Sequence, residues 1–235
     1  MLQKIIIITL LTAYISPVSS QNLQIDYGID YQSYEMSNLK ELTNTIFKTV
    51  PFDAQITSNF PPYARHQISG LYSINNNLKL GFSFTYLTTG SRISRADYSG
   101  SYNFDMIING YSPGIKGQVK ISDFKLVSMY FYNSIGLTFS ILKLNESLNI
   151  VEYEPHTSID NFISTNMFFE PGLRLEHNIS DFCFSLNSGY NFSILKGDLK
   201  YKKDKRYILT DEHEESLQAN WSGFYIGLAV GIILH

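Results

Sequence analysis

Cysteine and tryptophan are almost absent from this chain, which has one of each in 235 residues. The single thiol, Cys183, cannot form a disulfide within the chain, so the fold must be stabilised by a core or by its surroundings. Charged residues are also few, at 17% of the chain. The 18 basic and 21 acidic residues give a formal net charge of −3. This mild balance, with scattered lysines, argues against a nucleic-acid partner.

Long hydrophobic runs are missing as well, and the one short run lies at the start of the chain. MLQKIIIITLLTAYISPVSSQ has Lys4, an apolar stretch from Ile5 to Ile15, and small residues before Gln21. The stretch is shorter than the roughly 20 residues of a membrane-spanning helix. It is typical of a secretory signal peptide over residues 1–20. We expect cleavage before Gln21, leaving residues 21–235 as one domain.

Aromatic residues are abundant, with 17 tyrosines and 16 phenylalanines, as in β-rich proteins. Eight segments alternate between apolar residues on one face and polar or small residues on the other, the period of a β-strand. They begin near Gln24, Arg65, Leu78, Ser101, Phe124, Asn161, Phe182 and Phe224. In the fourth segment we expect four apolar residues to face outward, namely Tyr102, Phe104, Met106 and Ile108. A bulge between Gly110 and Gly114 then shifts the register.

The last segment, FYIGLAVGIIL from Phe224, has large apolar residues on one face and Tyr225 with small residues on the other. A soluble β-sandwich or a membrane barrel could use such a strand. The connections between the segments favour the membrane barrel, because short turns on one rim alternate with long loops on the other. The sequence therefore predicts an all-β fold, a closed up-and-down antiparallel transmembrane barrel of eight strands with short periplasmic turns and long outer loops. Ten strands remain open if the first long loop contributes a hairpin.

The first long loop contains MSNLKELTNTIF from Met36, whose apolar spacing predicts a short amphipathic helix capped by Ser37 or Asn38. It could lie across the barrel mouth or rest on the membrane surface.

An eight-stranded barrel is only wide enough for side chains to fill it. Nearly balanced charges are expected to face its lumen and to form a polar network, because buried charges need partners. The set is Asp26, Asp30, Arg65, Lys79, Asp105, Lys116, Glu170, Arg174 and Glu176. We favour a structural plug over a narrow ion path.

Catalytic and metal sites are not indicated. His66, His156, His177 and His213 are scattered, and spacing alone cannot show that a serine or a carboxylate converges on any of them. We expect no enzyme, no cofactor and no metal, although the DEHEE run from Asp211, with Glu154, could offer carboxylates to a divalent cation. A solvated acidic loop is the favoured interpretation. Outer-loop recognition is expected at Asp97, Tyr98, Asp211, Glu212 and His213.

Two stretches, TGSRISRADYSGSY from Thr89 and EPGLRLE from Glu170, together with the segment order, resemble the small outer-membrane β-barrel domain family of Gram-negative bacteria, related in architecture to the OmpA transmembrane domain. The resemblance extends over nearly all of residues 21–235. It implies an outer-membrane location, contact with outer-membrane lipids and lipopolysaccharide, and help from the barrel assembly machinery and periplasmic chaperones. Family members usually end on an aromatic residue, whereas this chain ends in Ile233, Leu234 and His235.

The expected function is that of an integral outer-membrane protein with a structural, adhesive or surface-recognition role, whose extracellular ligand is unknown. The alternatives are a small-solute pore or transport-associated barrel, a rim-located lipid-modifying enzyme, and a soluble lipocalin-like binder.

Overall fold

The computed structural model describes residues 22–50, 52–98, 100–150, 154 and 156–234. The expected signal peptide lies outside the described residues. The elements are β1 (Leu23–Gln32), α1 (Ser37–Thr49), β2 (Gln55–Asn59), β3 (Tyr63–Asn75), β4 (Leu78–Asp97), β5 (Gly100–Asp123), β6 (Ser128–Ile150), β7 (His156–Ile179), β8 (Phe182–Leu195), β9 (Lys200–Tyr201) and β10 (Gly223–Leu234). Within this part of the chain, no helix has the length and apolar character needed to cross a membrane.

Eight strands form a closed antiparallel ring in the order β1, β3, β4, β5, β6, β7, β8, β10 and back to β1. The ring closes at the two ends of the chain, where Leu23 pairs with Leu234 and Gln32 pairs with Tyr225. Among the described residues, the short strands β2 and β9 stand outside the ring, where β2 pairs with β4 and β9 pairs with β7, so the barrel has eight strands and not ten. The predicted closed up-and-down barrel is confirmed.

The turns at one rim are short because their residues suit tight backbone geometry. The Asn75 side chain accepts hydrogen bonds from the backbone N–H groups of Asn77 and Leu78, both at 2.9 Å, which closes the β3–β4 turn. Ser180 adopts a left-handed backbone, with a φ of 54°, between β7 and β8. Phe124 and Val127 exchange backbone hydrogen bonds in the β5–β6 turn, so β6 begins at Ser128 and not near Phe124, where the fifth segment was expected to begin.

The barrel is much taller on one side. The strands β4 to β7 contain 20, 24, 23 and 24 residues, whereas β1, β3, β8 and β10 contain 10, 13, 14 and 12. A membrane crossing needs only about 9–11 residues, so the four long strands continue past the others on the long-loop side. We call this extension the outer wall; it consists of residues 90–97, 100–107, 143–150 and 156–161. The strands β2 and β9 pair beside its two edges.

A band of exposed apolar side chains surrounds the lower part of the barrel, and every ring strand contributes to it. Its members include Ile25, Ile29, Ile68, Phe82, Phe84, Ile115, Val119, Phe131, Ile135, Leu173, Leu175, Phe184, Leu186, Ile226 and Leu228. A row of rings crosses the outside of the neighbouring strands β1, β3, β4 and β5, where Tyr27 is hydrogen bonded to His66 at 2.8 Å and Tyr86 packs beside both His66 and Tyr111. On the outer wall, the outward positions become mostly polar, as at Arg92, Asn103 and Asn145.

The strand β5 corrects two predictions. Its pairing with β4 runs without a shift from Val119 to Gly100, and its shift against β6 lies between Lys120 and Ser122, so the bulge expected at Gly110 to Gly114 is wrong. With the register unbroken, Tyr102, Phe104, Met106 and Ile108 face inward and are buried, not outward. The reason is that the upper half of β5 extends above the apolar band, where the apolar face of a strand packs inward.

These inward residues belong to an apolar core at the long-loop end of the barrel, which we call the outer core. The helix α1 lies across the barrel mouth, and Met36 and Leu39 are buried in this core. The predicted helix is confirmed, but it has no side-chain N-cap. The buried members of the outer core are Tyr34, Met36, Leu39, Ala54, Phe60, Leu87, Ile93, Tyr102, Phe104, Met106, Ile108, Leu142, Leu199, Leu217, Ala219 and Trp221.

Candidate functional site

Buried ion pairs fill the lumen in two layers, and Arg65 is the centre of the upper layer, nearer the long loops. Its Nε donates to Asp30 Oδ2 at 2.7 Å, and its two terminal nitrogens donate to Glu170 at 2.7 and 3.1 Å. The guanidinium carbon also lies 3.6 Å from the centroid of the Tyr225 ring. Arg65 faces Asp30 across neighbouring strands, and Glu170 reaches it from β7.

Lys116 is the second cation of the upper layer. Its Nζ donates to Gln67 Oε1 at 3.1 Å and lies 4.5 Å from the centroid of the Tyr132 ring. The hydroxyl of Tyr132 is hydrogen bonded to that of Tyr225. The upper layer therefore combines two carboxylates with two cations, and its charge is balanced.

The lower layer is built around Arg174, which donates to Asp26 at 2.9 and 3.2 Å and to Glu176 at 3.1 Å. Lys79, on β4, donates to Glu176 at 2.8 Å and to Gln24 at 2.7 Å. The bond from Lys79 to Glu176 crosses the lumen from β4 to β7. Here, too, two carboxylates balance two cations.

The small inward face of β10 makes room for these carboxylates. Gly227 pairs with Asp30 and Gly231 pairs with Asp26 across the seam between β1 and β10. A Cβ at Gly227 would overlap the Asp30 carboxylate, and one at Gly231 would overlap that of Asp26. The glycines are therefore required by the close approach of β1, through both its carboxylates and its backbone, and not by their own backbone angles.

The outer core closes the barrel above the upper layer. The Trp221 indole N–H donates to Ser140 Oγ at 2.9 Å, and Gln32 donates to the Trp221 carbonyl at 3.0 Å. Thr43 of α1 is hydrogen bonded to Ser91 of β4 at 2.9 Å. The sequence prediction missed the role of Trp221; its being the single tryptophan was a signal that could have drawn attention to it.

Eight of the nine residues expected in the lumen lie there: Asp26, Asp30, Arg65, Lys79, Lys116, Glu170, Arg174 and Glu176. Asp105 is the exception, and its expected place is wrong. It lies on the outer face of the outer wall, where Arg92 donates to it at 2.5 and 3.0 Å. Because its neighbours Phe104 and Met106 point into the outer core, Asp105 must point to the opposite side.

The residues expected in outer-loop recognition fall in two separate turns. Asp97 pairs with Arg95 at 2.7 Å, and Tyr98 is 98% exposed between β4 and β5. Asp211 accepts backbone hydrogen bonds from His213 at 2.9 Å and from Glu215 at 2.8 Å, which shapes the turn of the DEHEE run. Glu212 and His213 are exposed on that turn.

The four histidines that the structure describes stand apart from one another. His66 is on the outside of the barrel against Tyr27, while His177 is hydrogen bonded to the Leu126 carbonyl at the short-turn rim. His156 and His213 are exposed. In the part of the chain that the structure describes, no three histidine, cysteine or acidic side chains are grouped to hold a metal. That the protein is not an enzyme stays a prediction.

No protein-family model and no curated protein matches this chain. Solved structures do resemble it. Ail, the attachment invasion locus protein of Yersinia pestis, is 12% identical with a TM-score of 0.43, over 92% of this chain and all of Ail. Neisserial surface protein A is 12% identical with a TM-score of 0.39, over 91% of this chain and 97% of that one. LpxR from Salmonella typhimurium is 10% identical with a TM-score of 0.24, over 90% and 99%.

Proposed function

We propose that this chain is an integral outer-membrane protein whose sealed barrel anchors the outer wall and α1 at the cell surface, where they serve a structural, adhesive or surface-recognition role. One observation carries this proposal. The lumen is filled by two neutral ion-pair layers and an apolar core, while four of the eight strands, β4 to β7, extend beyond the apolar band.

The apolar band supports the membrane placement. Along β10, the outward residues Phe224, Ile226, Leu228 and Val230 are 53%, 46%, 68% and 44% exposed, while the charges face inward. Leaving such a surface in water would cost about 25 cal/mol for each Å² of apolar area. Closure of the ring leaves no unpaired strand edge within the band, as a bilayer requires.

The ion-pair layers argue against the pore alternative. A solute path would have to separate Arg65 from Glu170 or Arg174 from Asp26, whose side chains are at most 3% exposed. Breaking a buried pair of this kind typically costs about 3–5 kcal/mol. Without such a path, the surfaces available for function are those above the membrane.

Conductance tests the sealed lumen. The mature chain is refolded in detergent and checked for a heat-dependent gel shift and a β-type circular dichroism spectrum, and it is then inserted into planar bilayers. We expect insertion without stepwise conductance. Stable single-channel steps would contradict the sealed anchor and favour the pore, whereas solubility without detergent would contradict the membrane placement.

Labelling tests the orientation in cells. In a Cys183→Ser background, a cysteine replaces Tyr98 beyond the outer wall or Phe124 at the short-turn rim. A membrane-impermeant maleimide should label Tyr98→Cys in intact cells, and Phe124→Cys only after the outer membrane is permeabilised. The opposite pattern would contradict the proposed orientation.

A further inference from the structure

A groove lies at the far end of the outer wall, between its inward face and the end of α1. It consists of two adjoining cavities of about 350 and 190 Å³, which share Phe52, Tyr102 and Leu148. We call it the tip groove. The larger cavity alone falls in the range of about 300–1,000 Å³ that is typical of small-molecule sites.

Aromatic and aliphatic side chains form the walls of the tip groove. Phe52 meets Tyr102 edge to face, with 5.1 Å between ring centroids. Phe104 and Ile46 line the larger cavity beside them. Three rings therefore converge on one space, and the negative faces of aromatic rings attract cations.

The charges of the tip groove are not balanced. Arg95 is 5.5 Å from the centroid of the Phe52 ring, but Asp97 pairs with it at 2.7 Å. Glu146 lines the larger cavity, and in the described part of the chain its hydrogen-bond partner is the neutral Tyr102 phenol. A negative charge is therefore left at an apolar, aromatic wall.

The Tyr102 phenol remains a donor at neutral pH. Burial and the nearby Glu146 carboxylate raise the pKa of Tyr102 to about 12. The phenol therefore donates to the Glu146 carboxylate, which also lines the larger cavity.

We propose that the tip groove binds an organic ammonium cation with apolar substituents, whose charge pairs with Glu146 and whose alkyl groups contact Phe52, Tyr102 and Phe104. A fatty-acid anion would be repelled by Glu146, and a neutral apolar molecule would leave the carboxylate unpaired. That the groove is reached from outside the cell rests on the proposed function.

The test compares choline with its neutral carbon isostere, 3,3-dimethylbutan-1-ol. Both are titrated into the full mature chain, refolded in an uncharged maltoside detergent, and followed by NMR shifts of amides in the outer wall. Amine-oxide and phosphocholine detergents are avoided because their headgroups would compete. We expect choline to give saturable shifts around Tyr102 and the isostere to bind at least about tenfold more weakly.

Variants identify the carboxylate responsible. Glu146→Gln keeps the shape and should weaken choline binding at least about tenfold. The matched change Glu35→Gln, at a carboxylate bound by Asn220, should leave it unchanged. The heat-dependent gel shift verifies that each variant is folded. Equal binding of the isostere, full affinity in Glu146→Gln, or no saturable shift would each overturn the proposal. Because the titration is done in detergent, its result is independent of the orientation tested by labelling.

Discussion

Replacing Arg65 by methionine should destabilise the barrel by about 3–5 kcal/mol, the usual cost of removing one partner of a buried ion pair. The Arg65 side chain is 0% exposed, and those of Asp30 and Glu170 are 1% and 2% exposed. Methionine fills much of the same volume but supplies no charge or donor. The upper layer would then keep two carboxylates with only Lys116 to balance them.

A second substitution separates charge balance from packing. Arg65→Met combined with Glu170→Gln leaves one carboxylate, Asp30, and one cation, Lys116, so the layer is neutral again. We expect the double variant to regain part of the lost stability. The matched surface change Arg92→Met removes a pair whose arginine is 54% exposed, and it should cost less than about 1 kcal/mol.

The assay is equilibrium unfolding by urea in lipid vesicles, followed by the fluorescence of Trp221 and by gel mobility. Trp221 is a suitable reporter because Gln32 is hydrogen bonded both to its carbonyl at 3.0 Å and to Arg65 at 3.2 Å. A loss below about 1 kcal/mol in Arg65→Met, equal to that of a surface pair, would refute the reasoning. So would a double variant less stable than the single one.

Three further predictions concern the exterior, the seam and a long loop. Leu228→Arg should lower the free energy of unfolding by about 2–4 kcal/mol because it places a charge in the apolar band. The control Asn145→Arg, on the outer wall, should change it by no more than about 0.5 kcal/mol. Equal losses in vesicle unfolding would contradict the membrane placement. Gly227→Ala should cost about 1–3 kcal/mol because its Cβ would overlap the Asp30 carboxylate, and wild-type stability in the same assay would show that the seam has spare room. Hydrogen bonds from Ser216 and Gln218 side chains hold the pKa of Asp198 below its usual range; their stabilisation should be complete above the unfolded value of about 3.9 and be lost as pH falls through the lower folded value. Amide exchange across residues 196–222 should therefore accelerate in acid, and protection that is unchanged by acid would contradict this.

The sequence predicted the lower barrel well because the apolar face of every strand points outward there and the polar face points into the lumen. Where a strand has lipid on one side and a narrow lumen on the other, the apolar face of β10 points outward and Asp26 and Asp30 on β1 point inward. Period 2 identifies the two faces of a strand but not which of them is inside. That depends on the environment along the strand.

The upper half of β5 illustrates the limit. The alternation of Tyr102 and Phe104 continues from the lower half, but there the outside is water and the inside is an apolar core under α1. Our assumption that apolar residues always face outward required a bulge that does not exist, and it placed Asp105 in the lumen. Contacts from residues 196–222 to the outer core are long-range, so local spacing carries no sign of them.

The sequence separation within the ion-pair layers has a consequence for the order of folding. Arg174 binds Asp26 across 148 positions, and Glu170 binds Arg65 across 105. Such distant contacts form late, because a long loop of chain must first be closed. A nascent barrel without its final strands would hold solvated, unpaired charges and a wet interior. The interior can therefore lose its water only after the last third of the chain, which carries Glu170 and Arg174, has joined the barrel.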